Sequence, residues 1–393
     1  MRASLANAGR SRFDLADIVR QHRHELEGMQ ELTLQQRRVL SAIALCRTAA
    51  LGGHVDVCRS CGYERPAYNS CRNRHCPKCQ ALEQERWIAA RRERLLGVGH
   101  FHVVFTLPSQ LRPLAKCYPR PIFDALFRAT SQTLLELGRS RLNATLGITM
   151  VLHTWKRDLH FHPHVHTIVT AGGLALDTSC WISASHRYLF PVRIIGALLR
   201  GKMIAALRAL HRRGSFDDFD DFCDPEAFDH LMSRLAHTRW NVYAKQPFGT
   251  DEHVLAYLGR YTHRVGISNS RLVAVTDTSV TFHTKNGKTT TVTPAELLRR
   301  FVQHVLPGDF KKIRHCGLYA GANINGLLAT ARQMLTPSNA SRTPPSEHAA
   351  YSWSQQLEAL TGNNVDTCPR CGVLLEHVPT SATARAPPSP TAA

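Results

Sequence analysis

HFHPHVHTIV, residues 160–169, sets four histidines at alternate positions and then runs into β-branched residues. In an extended strand residues i and i+2 share a face, so His164 and His166 project side by side while Val165 points toward a core. Two imidazoles so placed can grip one divalent cation, although a histidine pair on a strand also occurs as ordinary surface. Pro163 has no N–H to give to a sheet ladder, so the regular strand is expected to begin there. His160 and His162 then precede it in looser geometry, as groups around the cation or as DNA contacts.

Outward from this stretch the chain alternates strands and helices. HFHVVFTLP, ending at Pro108, reads as a strand, residues 122–142 as a helix, ITMVLHTW as a second strand and HVHTIVTAGG as a third. Upstream, LTLQQRRVLSAIALCR carries helical periodicity and ALEQERWIAARRERLL reads as a helix bearing four arginines and three glutamates. GSFDDFDDFCDPEAFD is an acidic, aromatic insert, read as a solvated loop leading into a helix at Pro225, with metal binding as the other reading. Further on, Thr250 is placed to cap a helix carrying EHVLAYLGRYTHR. RLVAV, SVTFHT and TTTVT read as strands, with Asn286-Gly287 as a primed hairpin turn and Thr293-Pro294-Ala295-Glu296 as a capping box.

The chain has 393 residues and a formal charge of +19. That excess of Lys and Arg favours a polyanionic partner, since each neutralised phosphate releases condensed counterions. From about residue 331 onward four basic residues face four acidic ones, so the charge sits in residues 1–330, and the Ser/Thr/Pro/Ala-rich remainder is expected to be largely disordered. No secretory h-region and no apolar run near the roughly 18 residues of a membrane span occurs, so the chain is expected in the cytoplasm, near the nucleoid. No membrane partner is expected.

In a reducing compartment clustered cysteines read as metal ligands. CRSCGYERPAYNSCRNRHCPKC offers two knuckles, Cys58/Cys61 and Cys76/Cys79, at the spacing of a tetrahedral structural zinc site. Those four are the expected zinc set. Cys71 and His75 are surplus to one four-coordinate ion and stand either as neighbours or as alternative ligands. Arg72, Arg74 and Lys78 make the module a candidate DNA-reading element, or else a zinc-stapled scaffold with incidental charge. A further knuckle, Cys368/Cys371, has no partner pair nearby in sequence and reads as a lone, partial one.

Tyr257 and Tyr261 stand four apart on the helix that follows Thr250, which puts both on one face about one turn apart. Such spacing also serves plain packing, but Arg260, His263 and Arg264 surround the pair, and hydroxyls among cations suit an approach to phosphate. A metal held by His164 and His166 would polarise a scissile phosphate beside a tyrosine nucleophile.

A His-hydrophobic-His strand followed by a helix bearing tyrosines resembles the HUH endonuclease superfamily. SCRNRHCPKCQ, FHVVFTLP, HPHVHTIVTAGG, YLGRYTHRVGIS and IRHCGLYA, in that order, resemble the rolling-circle insertion-sequence transposases of the IS-ninety-one type, over residues 20–330. The resemblance implies an α+β fold: an antiparallel-sheet nuclease domain flanked by helices (99–330), preceded by a small helical zinc-binding domain (1–98) and followed by a tail (331–393). It implies Tyr257 and Tyr261 as paired nucleophiles forming a 5′-phosphotyrosine intermediate. It also implies magnesium or manganese on His164 and His166 with a third polar ligand, for which His253, His263 and His153 are candidates. Single-stranded element ends and the host polymerase and helicase are the implied partners, with Arg260 and Arg264 near the DNA. Two other readings share the residues: a zinc-dependent DNA-binding protein without catalysis, and a metal-dependent hydrolytic nuclease in which the tyrosines only pack. No nucleophile elbow and no phosphate-binding loop for ATP is present.

Overall fold

The computed structural model of the chain describes residues 12–92, 94–185, 188–219, 224–248, 266–335 and 364–380, together with the single positions 254, 259, 352, 354, 355, 357, 358 and 362. Its strands are β1 (Gly53–Val57), β2 (Glu64–Tyr68), β3 (His100–Thr106), β4 (Ala144–Trp155), β5 (Phe161–Ala175), β6 (Trp181–Ser183), β7 (Val242–Phe248), β8 (Leu272–Val275), β9 (Val280–His283), β10 (Thr289–Val292), β11 (Ile313–Gly317) and β12 (Glu376–Thr380). Three antiparallel sheets result. The large one runs β11-β4-β5-β3-β7 with β6 beside β5, and the two small ones run β12-β1-β2 and β10-β9-β8. The histidine strand β5 is therefore central in its sheet.

Period-two alternation sorts the large sheet into two unlike faces. Val103, Phe105, Ile148, Met150, Val165 and Val169 lie in the main apolar core together with the helices Pro119–Leu142 and Val192–His211. The long helix ends on Asn143 in the left-handed conformation (φ 49°), a residue type that tolerates it. The opposite face carries His164 and His166, and their cross-strand partners in register are Thr106 and Val104 on β3 and His153 and Val151 on β4.

The expected strand start at Pro163 is corrected: β5 already begins at Phe161. A bulge makes this tolerable, because His153 pairs with His164 and Trp155 with Phe161, which leaves His162 and Pro163 together opposite Thr154. The proline's carbonyl still accepts from the Leu107 N–H at 3.0 Å. The β4–β5 hairpin is pinned from outside by His304, whose Nε2–H donates to the Leu159 carbonyl at 3.0 Å and whose Nδ1 lies 3.2 Å from the Thr154 hydroxyl.

The N-terminal helices Leu15–Met29 and Leu34–Leu45 share an apolar cluster with Ile267, Phe282, Leu297 and Phe301, so residues expected within a unit of 1–98 pack directly on residues of the second. The tail departs from expectation too. Residues 376–380 form β12 and pair with β1, because the edge of β1 would otherwise leave a row of unpaired backbone groups. The insert after Gly214 does lead into a helix, Pro225–His237, capped by Asp224. The Asn286-Gly287 turn has both residues at positive φ, as a primed turn requires. Thr293 caps the helix Pro294–Val302, while the Glu296 carboxylate pairs with Arg299 and Arg300. Among the described residues no helix is long and apolar enough to cross a membrane.

Burial holds His304 and His100 at about 4, below the ordinary imidazole value. Between that value and about 6.5 the unfolded chain binds more protons than the folded one, so stability is complete above the window and falls as pH drops through it. Each group can remove on the order of 3 kcal/mol. Thermal unfolding followed from pH 7 to pH 5 is expected to show a falling midpoint, with a shallower fall in His304→Gln; an equal slope in the variant would contradict this.

Candidate functional site

The histidine face gains its shape from strand register. His153 on β4 stands directly across from His164 on β5, and His166 follows two residues along, so one ligand nitrogen from each of the three lies within 4.8 Å of the others. The Nε2 atoms of His164 and His166 are 3.1 Å apart. His164 Nδ1–H donates to the His162 carbonyl at 2.7 Å, which fixes the tautomer and leaves Nε2 as a lone pair. His166 Nδ1 lies 3.0 Å from His102 Nε2 on β3, and the two rings stack. His153 stacks on Trp155 and meets His166 edge to face.

Electrostatics keep this cluster in ligand form. Burial lowers the His164 pKa, and burial with Lys245 and His164 nearby lowers His102 to about 3. His162 falls to about 4 through burial, His164 and Arg112, whose guanidinium donates to His162 Nδ1 at 3.1 Å. Neutral imidazoles converging from two strands could hold a divalent cation.

His153 is the third-ligand candidate that the structure brings to the pair; His253 and His263 lie outside the described residues. His102, a partner of His166, was not singled out from the sequence. Its signal was present in HFHVVF, where His100 and His102 repeat the alternation of HVH. His160 is exposed beside Asp158, and His162 acts through its backbone carbonyl.

Over the same face lies the basic helix Gln80–Arg92. Trp87 and Leu95 form a small apolar cluster with Val254 and with Ile168, which sits two residues beyond His166. A Cβ placed on Gly259 would stand 2.5 Å from Ile88 Cδ1, so that glycine permits close contact with the helix. Arg91 and Arg94 line a pocket with Thr149 and His315, and Thr149 Oγ1 lies 3.0 Å from His315 Nδ1. Tyr257, Tyr261, Arg260 and Arg264 lie outside the described residues.

The predicted set Cys58, Cys61, Cys76 and Cys79 is not a single cluster. Cys76 and Cys79 join Cys71 and Cys46, with Sγ–Sγ distances of 3.5 Å for Cys46–Cys79 and 3.6 Å for Cys71–Cys79. Cys58 and Cys61 stand instead beside Cys371 and Cys368. The reason is topological: β1 and β2 form a hairpin that carries the first knuckle to its far end, while Cys46 and Cys71 flank the hairpin's base. Cys71 is thus a member of the first set, and Cys46, not singled out from the sequence, completes it. Four thiolates about 2.3 Å from one zinc in a tetrahedron are spaced about 3.8 Å apart, close to these separations.

His75 is in neither set, and among the described residues its Nε2 has no hydrogen-bond partner. Arg74 donates to the carbonyls of Phe310 and Pro307 at 2.6 and 2.7 Å, and Lys78 to Asp14 and the Cys46 carbonyl at 2.7 and 3.0 Å. Both side chains are thus engaged within the chain, Arg74 with residues beyond the N-terminal unit and Lys78 inside it. Arg72 is exposed.

Residues 147–325 match the family model described as "Putative transposase", and residues 18–107 match the one described as "Transposase zinc-binding domain". The chain is 40% identical over 375 residues to the "Putative transposase y4qJ" of Sinorhizobium fredii (strain NBRC 101917 / NGR234), covering 92% of this chain and 94% of that protein. It is 28% identical over 338 residues to the "Transposase for insertion sequence element IS801" of Pseudomonas savastanoi pv. phaseolicola, covering 82% of this chain and 79% of that protein. No solved structure matches the chain significantly.

The grouping of sulfurs places Cys46 in a set that could hold a zinc ion although it belongs to no CxxC pair. Cys46→Ser is expected to lower the zinc content by one equivalent relative to the parent chain and to lower the unfolding temperature, whereas Cys117→Ser, at an exposed cysteine outside both clusters, leaves both unchanged. Elemental analysis of the purified proteins checks this, and equal zinc content in parent and Cys46→Ser would refute it.

Proposed function

The chain belongs to the transposases of the IS-ninety-one type with an N-terminal zinc-binding domain, and on that premise we propose that it cuts and rejoins single-stranded DNA at insertion-sequence ends through a 5′-phosphotyrosine intermediate. The observation that carries this reading is the trio His153, His164 and His166, with the His164 tautomer locked by the His162 carbonyl.

Tyr257 and Tyr261 are the proposed nucleophiles. Val254, three residues before Tyr257, is buried against Ile168 on the histidine face, which supports bringing this part of the chain to the trio. The phenolate oxygen attacks phosphorus, a Tyr–O–P bond forms, the bond from phosphorus to the 3′-oxygen breaks, and that oxygen leaves as a 3′-hydroxyl after taking a proton. Phosphodiester energy is conserved in the new ester, so a free 3′-hydroxyl reverses the step and seals a strand without ATP. A tyrosine hydroxyl ordinarily titrates near about 10, so Arg260 and Arg264 beside the pair favour the reactive phenolate. Two tyrosines let one hold a cut end while the other attacks a second strand, with copying by host polymerase and helicase between the events.

His153, His164 and His166 would hold a divalent cation, which when bound would supply charge to polarise the phosphate and to stabilise the leaving oxygen. An all-imidazole set suits manganese better than magnesium, which prefers oxygen ligands and retains its waters. His102 orients His166 in that role through its ring contact.

Labelled single-stranded oligonucleotides spanning element ends, incubated with Mn²⁺ and resolved under denaturing conditions, test the mechanism. A covalent protein–DNA band is expected that requires metal and disappears in Tyr257→Phe/Tyr261→Phe. Cleavage without adduct that survives the double variant would move the chemistry to water; binding without cleavage would leave a zinc-dependent DNA binder. A second expectation concerns the trio: His102→Ala weakens Mn²⁺ binding about 10- to 100-fold by freeing His166 to reorient, while His160→Ala leaves it unchanged. Titration of the metal-free protein followed by electron paramagnetic resonance reads this directly, and equal affinities in the two variants would count against it.

A further inference from the structure

We infer that the chain holds a second structural zinc ion, in a closed site made half by the N-terminal module (Cys58, Cys61) and half by the C-terminal segment (Cys368, Cys371). Sγ of Cys58 lies 3.4 Å from that of Cys371, and Sγ of Cys61 lies 3.6 Å from that of Cys368. Disulfides would need about 2.05 Å, while the edge of a zinc–thiolate tetrahedron is about 3.8 Å, so the spacing fits a shared ion. The region that matches the zinc-binding family model ends at residue 107 and supplies only two of the four thiolates.

The two half-sites are backbone copies of one another. Each reads Cys-x-x-Cys-Gly, with Gly62 at φ 68° and Gly372 at φ 74°. Gly62 N–H donates to the Cys58 carbonyl at 3.0 Å and Gly372 N–H to the Cys368 carbonyl at 2.9 Å. Cys58 N–H donates to the Tyr63 carbonyl and Cys368 N–H to the Val373 carbonyl, both at 2.8 Å. Such a turn points both sulfurs of a knuckle the same way, and two turns face to face complete a four-coordinate site with no open position. Its task is therefore to tie segments together, not to do chemistry.

What it ties is visible in the seam beside it. β12 follows the second knuckle and pairs with β1, which leads into the first. Arg59 donates to Glu376 at 2.6 Å, His377 Nδ1 lies 2.7 Å from the buried Asp56 carboxylate, and Arg65 bridges Asp56 and the Val365 carbonyl. A strand of five residues whose side chains at 376–379 are exposed buries too little to hold itself on β1 against chain entropy, and the ion supplies what that contact lacks.

The test is the zinc content of the purified full-length chain. Two equivalents per chain are expected, falling to one in Cys368→Ser/Cys371→Ser, with faster tryptic cleavage after Arg370, which lies inside the second knuckle. One equivalent in the parent chain, or two retained in the variant, would overturn the inference. The count in the parent chain stands on its own should the variant fold poorly. Mixing this variant with Cys58→Ser/Cys61→Ser separates a site within one chain from one shared between copies: recovery of the lost equivalent would overturn the intrachain tie, and no recovery is expected.

Discussion

The pairing of β4 with β5 in one register is the constraint on which the rest depends. His153 meets His164 only in this register, and a slip of one residue would turn His164 and His166 into the apolar core and present Val165 to the cation. The hairpin is held from outside by His304, buried between Thr154 and the Leu159 carbonyl, and by Arg300, which donates to the Asp158 carbonyl at 3.0 Å. Both residues belong to the stretch around the helix Pro294–Val302, which packs in the same cluster as the N-terminal helices. The geometry of the ligand trio is thus set by a core remote from it.

A sheet face lined with imidazoles is costly to bury. Each ring nitrogen removed from water needs a partner, and a charged ring needs more. The chain meets this by pairing the rings with one another and with backbone: His164 with the His162 carbonyl, His166 with His102, His100 with the Tyr319 hydroxyl at 2.7 Å. Burial then holds His102, His162 and His100 well below their ordinary pKa, so these rings stay neutral and the lone pair of His164 remains available at neutral pH. The other face of the same strands, made of Val103, Phe105, Ile148 and Val165, contributes the apolar burial that makes such a polar layer affordable.

Much of this was legible from local pattern. Period-two alternation in HFHPHVHTIV located the ligand strand, and β-branched runs closed by Pro and Gly located its neighbours, because both signals are written within a few residues. The sulfur sets were not, since which knuckle meets which depends on a hairpin, β1–β2, that carries Cys58 away from Cys76, and on a return of the chain over some three hundred positions. Cys46 has no CxxC signature and Cys368/Cys371 has no neighbour in sequence, so spacing alone assigned ligands to the wrong partners. The bonding of Arg74 and Lys78 within the chain was not legible for a related reason: a count of charges does not distinguish a cation that faces solvent from one bonded to the carbonyls of Phe310, Pro307 and Cys46.

That last point bears on what the zinc module is for. Among its basic residues Arg59, Arg65, Arg74 and Lys78 are all engaged within the chain. The thiolate set of Cys46, Cys71, Cys76 and Cys79 ends where the helix Gln80–Arg92 begins, so an ion bound there would fix the root of that helix. Trp87 and Ile88 then meet Val254, Ile168 and Gly259 above the histidine face, and Arg91 and Arg94 turn toward Thr149 and His315 at its edge. A tetrahedral zinc site is stiff where a short loop is not, and an ion in this set would fix where Arg91 and Arg94 stand relative to the histidine face. The module's contribution is therefore positional: it aims one helix at the sheet.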